Sequence, residues 1–207
     1  MTSVGADIGP GATGASDTVT APPTLRPLHA DDAAAVLSAF CSDPAMSRQG
    51  TVTTSEEAEE YVHRLTDPGV SKVAWAVCHG DGPVGLVCIA VDEQNRNGWF
   101  SYWMTEAVRG RGWTTRAAAT VSDWALDHAG LERLELGHRV NNPASGAVAR
   151  AAGFRKEGTE RGKFLIAGER VDVDTYGRLR TDPRWQGSAA AARLRSGDRR
   201  RYRTATA

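Results

Sequence analysis

The chain has 207 residues, 41% apolar and 24% charged, which fits one ordinary soluble domain or a domain with tails. Its 25 basic residues equal its 25 acidic ones, which argues against a surface built throughout to hold nucleic acid, since such domains are strongly basic. No run of 18 apolar residues exists to span a membrane, and residues 1–21 lack the basic start and apolar segment of a secretory signal, so a cytoplasmic globular protein is the expectation.

The neutral balance is uneven along the chain. Residues 1–24 hold two acids, Asp7 and Asp17, and no base, whereas residues 187–207 hold six arginines against Asp198, so the stretch between carries a net −3. Neither end has hydrophobic periodicity, and both read as disordered tails around one domain, 25–186. The basic tail has a composition that could touch RNA or acidic protein, although a solvated terminus accounts for it as well.

Within the domain, Leu25-Arg26-Pro27-Leu28 reads as a short first strand. Asp31 and Asp32 open a helix to Cys41, with Ala35, Val36, Ala39 and Phe40 on its apolar face. Thr53-Thr54-Ser55-Glu56-Glu57 places hydroxyl caps and acids before a second helix carrying Ala58, Tyr61, Val62 and Leu65 at helical spacing, and Asp67-Pro68-Gly69 stops it. A meander of three strands follows, over 71–78, 84–91 and 99–104, with a turn at His79-Gly80-Asp81-Gly82. A long helix spans 113–128, with Ala117, Val121, Trp124 and Ala125 as its buried stripe. Residues 134–140 form a strand, Asn142-Pro143 starts a helix that Gly153 closes, and two strands over 156–165 and 170–179 complete the domain. Hairpins mixed with crossovers predict an α/β fold whose central sheet of about seven strands is mixed, flanked by about four helices.

Cys41, Cys78 and Cys88 are odd in number and lack C-x-x-C spacing, and the five histidines lack metal-ligand spacing. Buried apolar cysteines, surface or strand-end histidines and no metal are expected. Trp75, Trp99, Trp103 and Trp124 read first as core, with a pocket role open for Trp99 and Trp103.

The most informative stretch is Arg109-Gly110-Arg111-Gly112-Trp113-Thr114, between a strand and a long helix. Two glycines admit positive φ and close approach of backbone, and the first amides of a helix point outward with the positive end of its dipole. Together they predict a cradle for a diphosphate, with Arg109 and Arg111 adding charge. The stretch is neither a P-loop nor the dinucleotide G-x-G-x-x-G. Asn142-x-x-Ser145 and Gly153-Phe154 stand after the next strand.

Arg109-x-x-Gly112-x-Thr114 followed by that second block resembles the GNAT acyltransferase superfamily, over about residues 25–185. The opening Leu25-Arg26-Pro27-Leu28, the Tyr102-Trp103 pair, Ser145 and Asp172-x-x-x-Tyr176 are similar to its RimJ/RimL branch. The resemblance implies direct acyl transfer from acetyl-CoA, or another acyl-CoA such as succinyl-CoA, to an amine. The acceptor would be a protein N-terminus or a small molecule, and the chain a monomer or homodimer. It implies strands 99–104 and 134–140 splayed apart, often at a bulge, with Trp103 and Met104 offering backbone groups to pantetheine. Arg109, Gly110, Arg111, Gly112, Trp113 and Thr114 would line the phosphates. Asn142 and Ser145 would sit near the thioester, Ser145 as proton donor to the departing thiolate. The net −3 mildly favours a cationic acceptor.

Three positions depart from the family pattern. Thr114 replaces Gly or Ala. Ala149 stands where many members carry a tyrosine acid, and Trp99-Phe100 where relatives often carry a Glu. The general base is therefore unassigned, with Asp92 and Glu93 the candidates at a strand end. A non-catalytic acyl-CoA-binding sensor is the rival reading.

Overall fold

The computed structural model describes residues 22–80 and 82–186, with the backbone of 193–194. The expected tails lie almost wholly outside these residues, as does Asp81 of the first hairpin turn. The elements are β1 (Thr24–Pro27), α1 (Ala33–Ser42), α2 (Ser55–Thr66), β2 (Lys72–His79), β3 (Gly82–Asp92), β4 (Asn97–Met104), α3 (Trp113–His128), β5 (Arg133–Arg139), α4 (Pro143–Ala151), β6 (Arg155–Ile166), β7 (Glu169–Leu179) and the two-residue β8 (Arg193–Leu194). Seven strands and four helices stand in the expected order. Three 3-10 turns, Ala30–Asp32, Pro44–Arg48 and Glu106–Val108, and β8 were not legible. Such short turns have no periodicity to betray them; the second is held by Pro44 at its start and by the Asp43 carboxylate, which accepts from the Ala45 amide.

The helix starts follow local chemistry. Thr54 and Glu57 form a reciprocal capping box at α2: the Thr54 side chain accepts from the Glu57 amide, and the Glu57 carboxylate accepts from the amides of Thr53 and Thr54. Asn142 caps α4 and Pro143 takes the first turn, where a missing N–H costs nothing. Seven strands and β8 form one sheet in the order β6-β7-β5-β4-β3-β2-β1-β8. Pairing is antiparallel except between β4 and β5 and between β1 and β8, which gives the mixed sheet the element order predicts.

Alternation along the strands splits the core in two. Ala74, Ala76, Leu86, Cys88 and Trp103 face α1 and α2, whereas Trp75, Val77, Val87, Ile89, Phe100 and Met104 face α3 and α4. Trp75 and Trp124 meet edge to face at 5.4 Å between centroids. Ala117, Ala118, Ala119 and Ala125 are fully buried, and their small side chains let α3 lie close on the sheet.

Candidate active site

β4 and β5 are parallel neighbours that pair over only three positions, Asn97 with Arg133, Gly98 with Leu134 and Trp99 with Glu135. Beyond Trp99 the strands part. Each is held elsewhere: β4 pairs with β3 along its whole length, and β5 with β7 along its whole length. No bulge breaks the β3–β4 register, so the parting comes from this separate anchoring and not from the bulge the family resemblance suggested.

The hydrogen-bond phase says which backbone groups face the gap. The Thr105 amide donates to the Val84 carbonyl, so in the same register Trp99, Ser101 and Trp103 bond to β3, while Phe100, Tyr102 and Met104 turn their N–H and C=O toward β5. The Val140 amide donates to Asp172, which by the same rule turns the backbone of Gly137 and Arg139 toward β4. The gap is thus walled by two polar strand edges, a template for an extended ligand carrying amides. Met104 turns its backbone to the gap, although its carbonyl already accepts from Arg109 Nε at 3.0 Å. Trp103 does not: its backbone belongs to the β3 ladder, and its ring is buried against Phe40 with Nε1 donating to the Tyr61 hydroxyl at 3.1 Å.

At the open end of β4 the chain passes through Gly110 (φ 77°) and Gly112 (φ 71°) into α3. Both glycines are left-handed, and a Cβ on either would meet nothing within 4 Å, so the requirement is conformational and the space before the loop is open. No side chain caps α3, and its first intrahelical bond is Arg116 to the Gly112 carbonyl. The amides of Trp113, Thr114 and Thr115 therefore lack intrahelical acceptors and lie at the positive end of the dipole. Trp113 buries its ring against His79, and Arg111 lies 5.3 Å over that ring. The Arg109 guanidinium takes a different course from the one expected: its Nη2 donates to Asp43 at 2.5 Å. With Nε on Met104, this ties the loop to the Pro44–Arg48 turn, and Arg111 is the loop's cation without an ion pair among the described residues. The Ala45 amide and Arg109 hold the Asp43 carboxyl below its usual range.

Between the strand edges lies a cavity of about 200 Å³, lined by residues of β4 and β5, by Asn142 and Ser145 of α4, by Arg48 and Gln49, and by Phe164. Asn142 Oδ1 accepts from the Ser145 amide at 3.3 Å, fixing the start of α4. The Tyr102 hydroxyl is 2.9 Å from the Ser145 carbonyl and 3.1 Å from Ser145 Oγ. With the phenolic hydrogen on the carbonyl, the phenol oxygen accepts from the Ser145 hydroxyl. Burial pushes the Tyr102 phenol up to about 12 against the opposing effect of Ser145, so it remains a neutral hydroxyl. His138, expected at a surface or strand end, is buried in the cavity wall: Nδ1 is 2.8 Å from the Arg139 carbonyl and Nε2 is 3.3 Å from the Tyr176 hydroxyl, which accepts from Arg150. The network assigns the ring proton to Nδ1. Period-two alternation with Leu134 and Leu136 could have exposed that burial in the sequence; nothing local pairs Tyr102 with Ser145.

Other candidates fall elsewhere. Trp99 lines the cavity, beneath Lys163 at 5.3 Å from its ring. Asp92 is opposite Asn97, at the closed end of β4, and binds Asn95. Five residues of strand, about 17 Å, separate that end from Tyr102, so neither Asp92 nor Glu93 is a base for this site. Asp172 accepts from the Gly162 amide at 2.7 Å and pins the β6–β7 hairpin. A larger hollow of about 650 Å³ between β1–β2 and the end of α2 shares only Glu93 with the residues considered for the site. Among the described residues no cluster of three or more His, Cys, Asp or Glu could hold a metal, and no helix is long and apolar enough to cross a membrane.

Comparison with known proteins bears on the fold and the family. "Putative ribosomal N-acetyltransferase YdaF" of Bacillus subtilis (strain 168) is 29% identical over 97 residues, 47% of this chain and 52% of that protein. "Probable N-acetyltransferase YjcK" of the same organism is 33% identical over 84 residues, 41% of this chain and 46% of its own. The chain spans about half the length of the curated relatives it matches. Among solved structures, RimL, a ribosomal L7/L12 alpha-N-protein acetyltransferase in complex with coenzyme A, shares the fold with a TM-score of 0.70 at 23% identity, over 78% of this chain and 96% of that one. The microcin C7 self-immunity acetyltransferase MccE, in complex with acetyl-CoA and AMP, aligns with a TM-score of 0.71 at 17% identity, over 78% and 94%. The model of the acetyltransferase (GNAT) domain matches residues 24–155, more than half of the chain and the stretch that contains both strand edges and the glycine loop, and the chain belongs to that family.

Proposed function

We propose that the chain is an N-acyltransferase that moves an acetyl group from acetyl-CoA directly to an amine, on a protein N-terminus or a small molecule. One observation carries the reading: two strand edges part beyond Trp99, an uncapped helix start with two left-handed glycines follows the open end of β4, and a half-buried Tyr102–Ser145 hydroxyl pair lines the gap. Family membership and the relatives named for N-acetyltransferase activity support it.

In this reading the amides of Gly110, Gly112, Trp113 and Thr114 hold the diphosphate, and Arg111 supplies the cation. The edges of β4 (Phe100, Tyr102, Met104) and β5 (Gly137, Arg139) bind the pantetheine amides as a further strand would. Bound acetyl-CoA supplies the activated acyl thioester. The protein's part is to orient it, exclude water and hold a proton at Ser145 Oγ for the departing sulfur, which Tyr102 replenishes once its own hydrogen turns from the Ser145 carbonyl to Oγ. An α-amine, near 7.7–8.0, is partly free at neutral pH, whereas a lysine side chain near 10.4 is not, so an N-terminal or similarly weak amine needs the least help from a base.

Calorimetric titration with acetyl-CoA tests this reading, with Gly112→Glu as comparison. A side chain fits the open space there at a conformational cost of about 1–2 kcal/mol, and it brings a carboxylate to the anion site. Binding by the parent that is lost in Gly112→Glu is the expected result. Failure of the parent to bind at millimolar ligand overturns it. Binding without turnover on any amine would make the chain a sensor.

A further inference from the structure

The charge around the cavity does not follow the charge of the domain. The core sequence is net negative, yet the cavity lining contains Arg48, Arg139 and His138 and not one Asp or Glu. Arg26, Arg109, Arg133, Arg178 and Arg184 each meet a carboxylate. Arg48, at the end of the Pro44–Arg48 turn, and Arg139, at the end of β5, have no ion pair among the described residues. The two are neighbours: burial first, and the charge of Arg48 second, hold the Arg139 guanidinium below its ordinary value. Arg48 is exposed and the carboxylate that feels its charge, Asp43, is already paired with Arg109, while the half-buried Arg139 has Arg48 as its charged neighbour, so an anion entering the hollow would be favoured by both.

The cofactor does not account for them. Pantetheine is uncharged, the cavity lining takes only Trp99 to Tyr102 from β4 and nothing from the loop after Met104 that is assigned to the diphosphate, and the cofactor's 3′-phosphate is attached beyond that diphosphate. We propose that the transfer cavity recognises an anionic group, a carboxylate or a phosphate, carried by the acceptor a few bonds from the amine that is acylated, with Arg48 and Arg139 as its counter-charges. This rests on the transferase reading and names its substrate class. It excludes polyamines, whose several cations need carboxylates in the wall. It also bears on the missing base: two guanidinium groups beside the acceptor disfavour its ammonium form and favour the free amine that attacks.

The test is an initial-rate assay of the full chain with acetyl-CoA and four acceptors: a peptide with aspartate at its second position, the same peptide with lysine there, an aminoalkyl phosphate, and spermidine. The aspartate peptide or the aminoalkyl phosphate is expected to exceed the lysine peptide and spermidine at least tenfold in kcat/KM, mainly through KM, with the advantage shrinking as salt rises. The contrast between peptide and phosphate separates the two anions. Arg48→Gln and Arg139→Gln are each expected to lower kcat/KM for the favoured acceptor about tenfold, the order of one charge-assisted hydrogen bond. Both should keep acetyl-CoA affinity within about twofold of the parent, as should Arg64→Gln on the outer face of α2, where Arg64 pairs with Glu60. Preference for spermidine, unchanged discrimination in both arginine variants, or loss of acetyl-CoA affinity in them overturns the inference. So does a preference for succinyl-CoA that depends on the arginines, which would move the anion to the donor. Turnover without charge preference sinks this inference alone. Absence of turnover on every amine sinks it together with the transferase reading.

Discussion

Ser145 and Tyr102 share one hydrogen-bonded unit, and which of them would deliver the proton in the proposed transfer is tested by what each loses on substitution. Ser145→Ala removes the hydroxyl in the cavity and leaves the Asn142 cap, which uses the Ser145 amide, in place. It is expected to lower kcat about a hundredfold, the lower range of general-acid catalysis, with acetyl-CoA affinity retained. Tyr102→Phe leaves the Ser145 carbonyl and hydroxyl without their partner but keeps the ring and its packing, and a fall of about tenfold in kcat is expected. Steady-state kinetics on the pair would decide: full activity in Ser145→Ala with a larger loss in Tyr102→Phe would reassign the donor to the phenol. Ala149, where the family's tyrosine often stands, is fully buried, so the β4 phenol is the hydroxyl that accompanies Ser145.

Helix α3, whose start is the proposed diphosphate cradle, is held by an ion pair toward its far end. Arg178 of β7 is completely buried, and its Nη2 donates to Asp123 of α3 at 2.5 Å while Nε and Nη1 have no hydrogen-bond partner among the described residues. Burial raises the Asp123 carboxyl despite Arg178 and Arg184, which marks the pair as costly to desolvate. Asp123→Ala strands a buried cation and is expected to destabilise the fold by about 3 kcal/mol, roughly 6–12 °C in Tm, whereas Arg178→Met, which removes the charge and keeps most of the volume, should cost clearly less. Thermal unfolding of the two variants checks the order; equal losses would mean that packing, not charge, governs the contact. Displacing this turn would tilt the amides at the other end of the helix, so Asp123→Ala should also weaken acetyl-CoA.

At the scale of the molecule, carboxylates below their usual range prevail over the one raised. Asp32 is raised by burial but lowered more by Arg26 and the His29 amide. Asp127 is lowered by Arg184, Glu157 by Arg133 and Asp174 by Lys156. A depressed carboxyl adds stability above its unfolded value, near 4, and that stability disappears as pH falls through the folded value. The urea midpoint is therefore expected to hold between pH 7 and 5 and to fall steeply below about pH 4. Asp32→Asn should lower the midpoint at pH 7 and flatten its fall in acid, since its Arg26 partner ties β1 to the turn before α1. An identical acid slope in Asp32→Asn would remove that pair from the account.

The sequence alone determined the element order, the caps at Thr54 and Asn142, and the glycine loop before α3, because each depends on neighbours within a turn or on a period along one element. The coupling of Arg109 to Asp43, 66 positions away, and of Tyr102 to Ser145, 43 positions away, was decided only by tertiary structure, as were the parting of β4 from β5 and the cationic lining of their gap. Those features depend on strand register and on which edges lie opposite, and register is a property of the whole sheet: each strand's place is fixed by partners that no local pattern names.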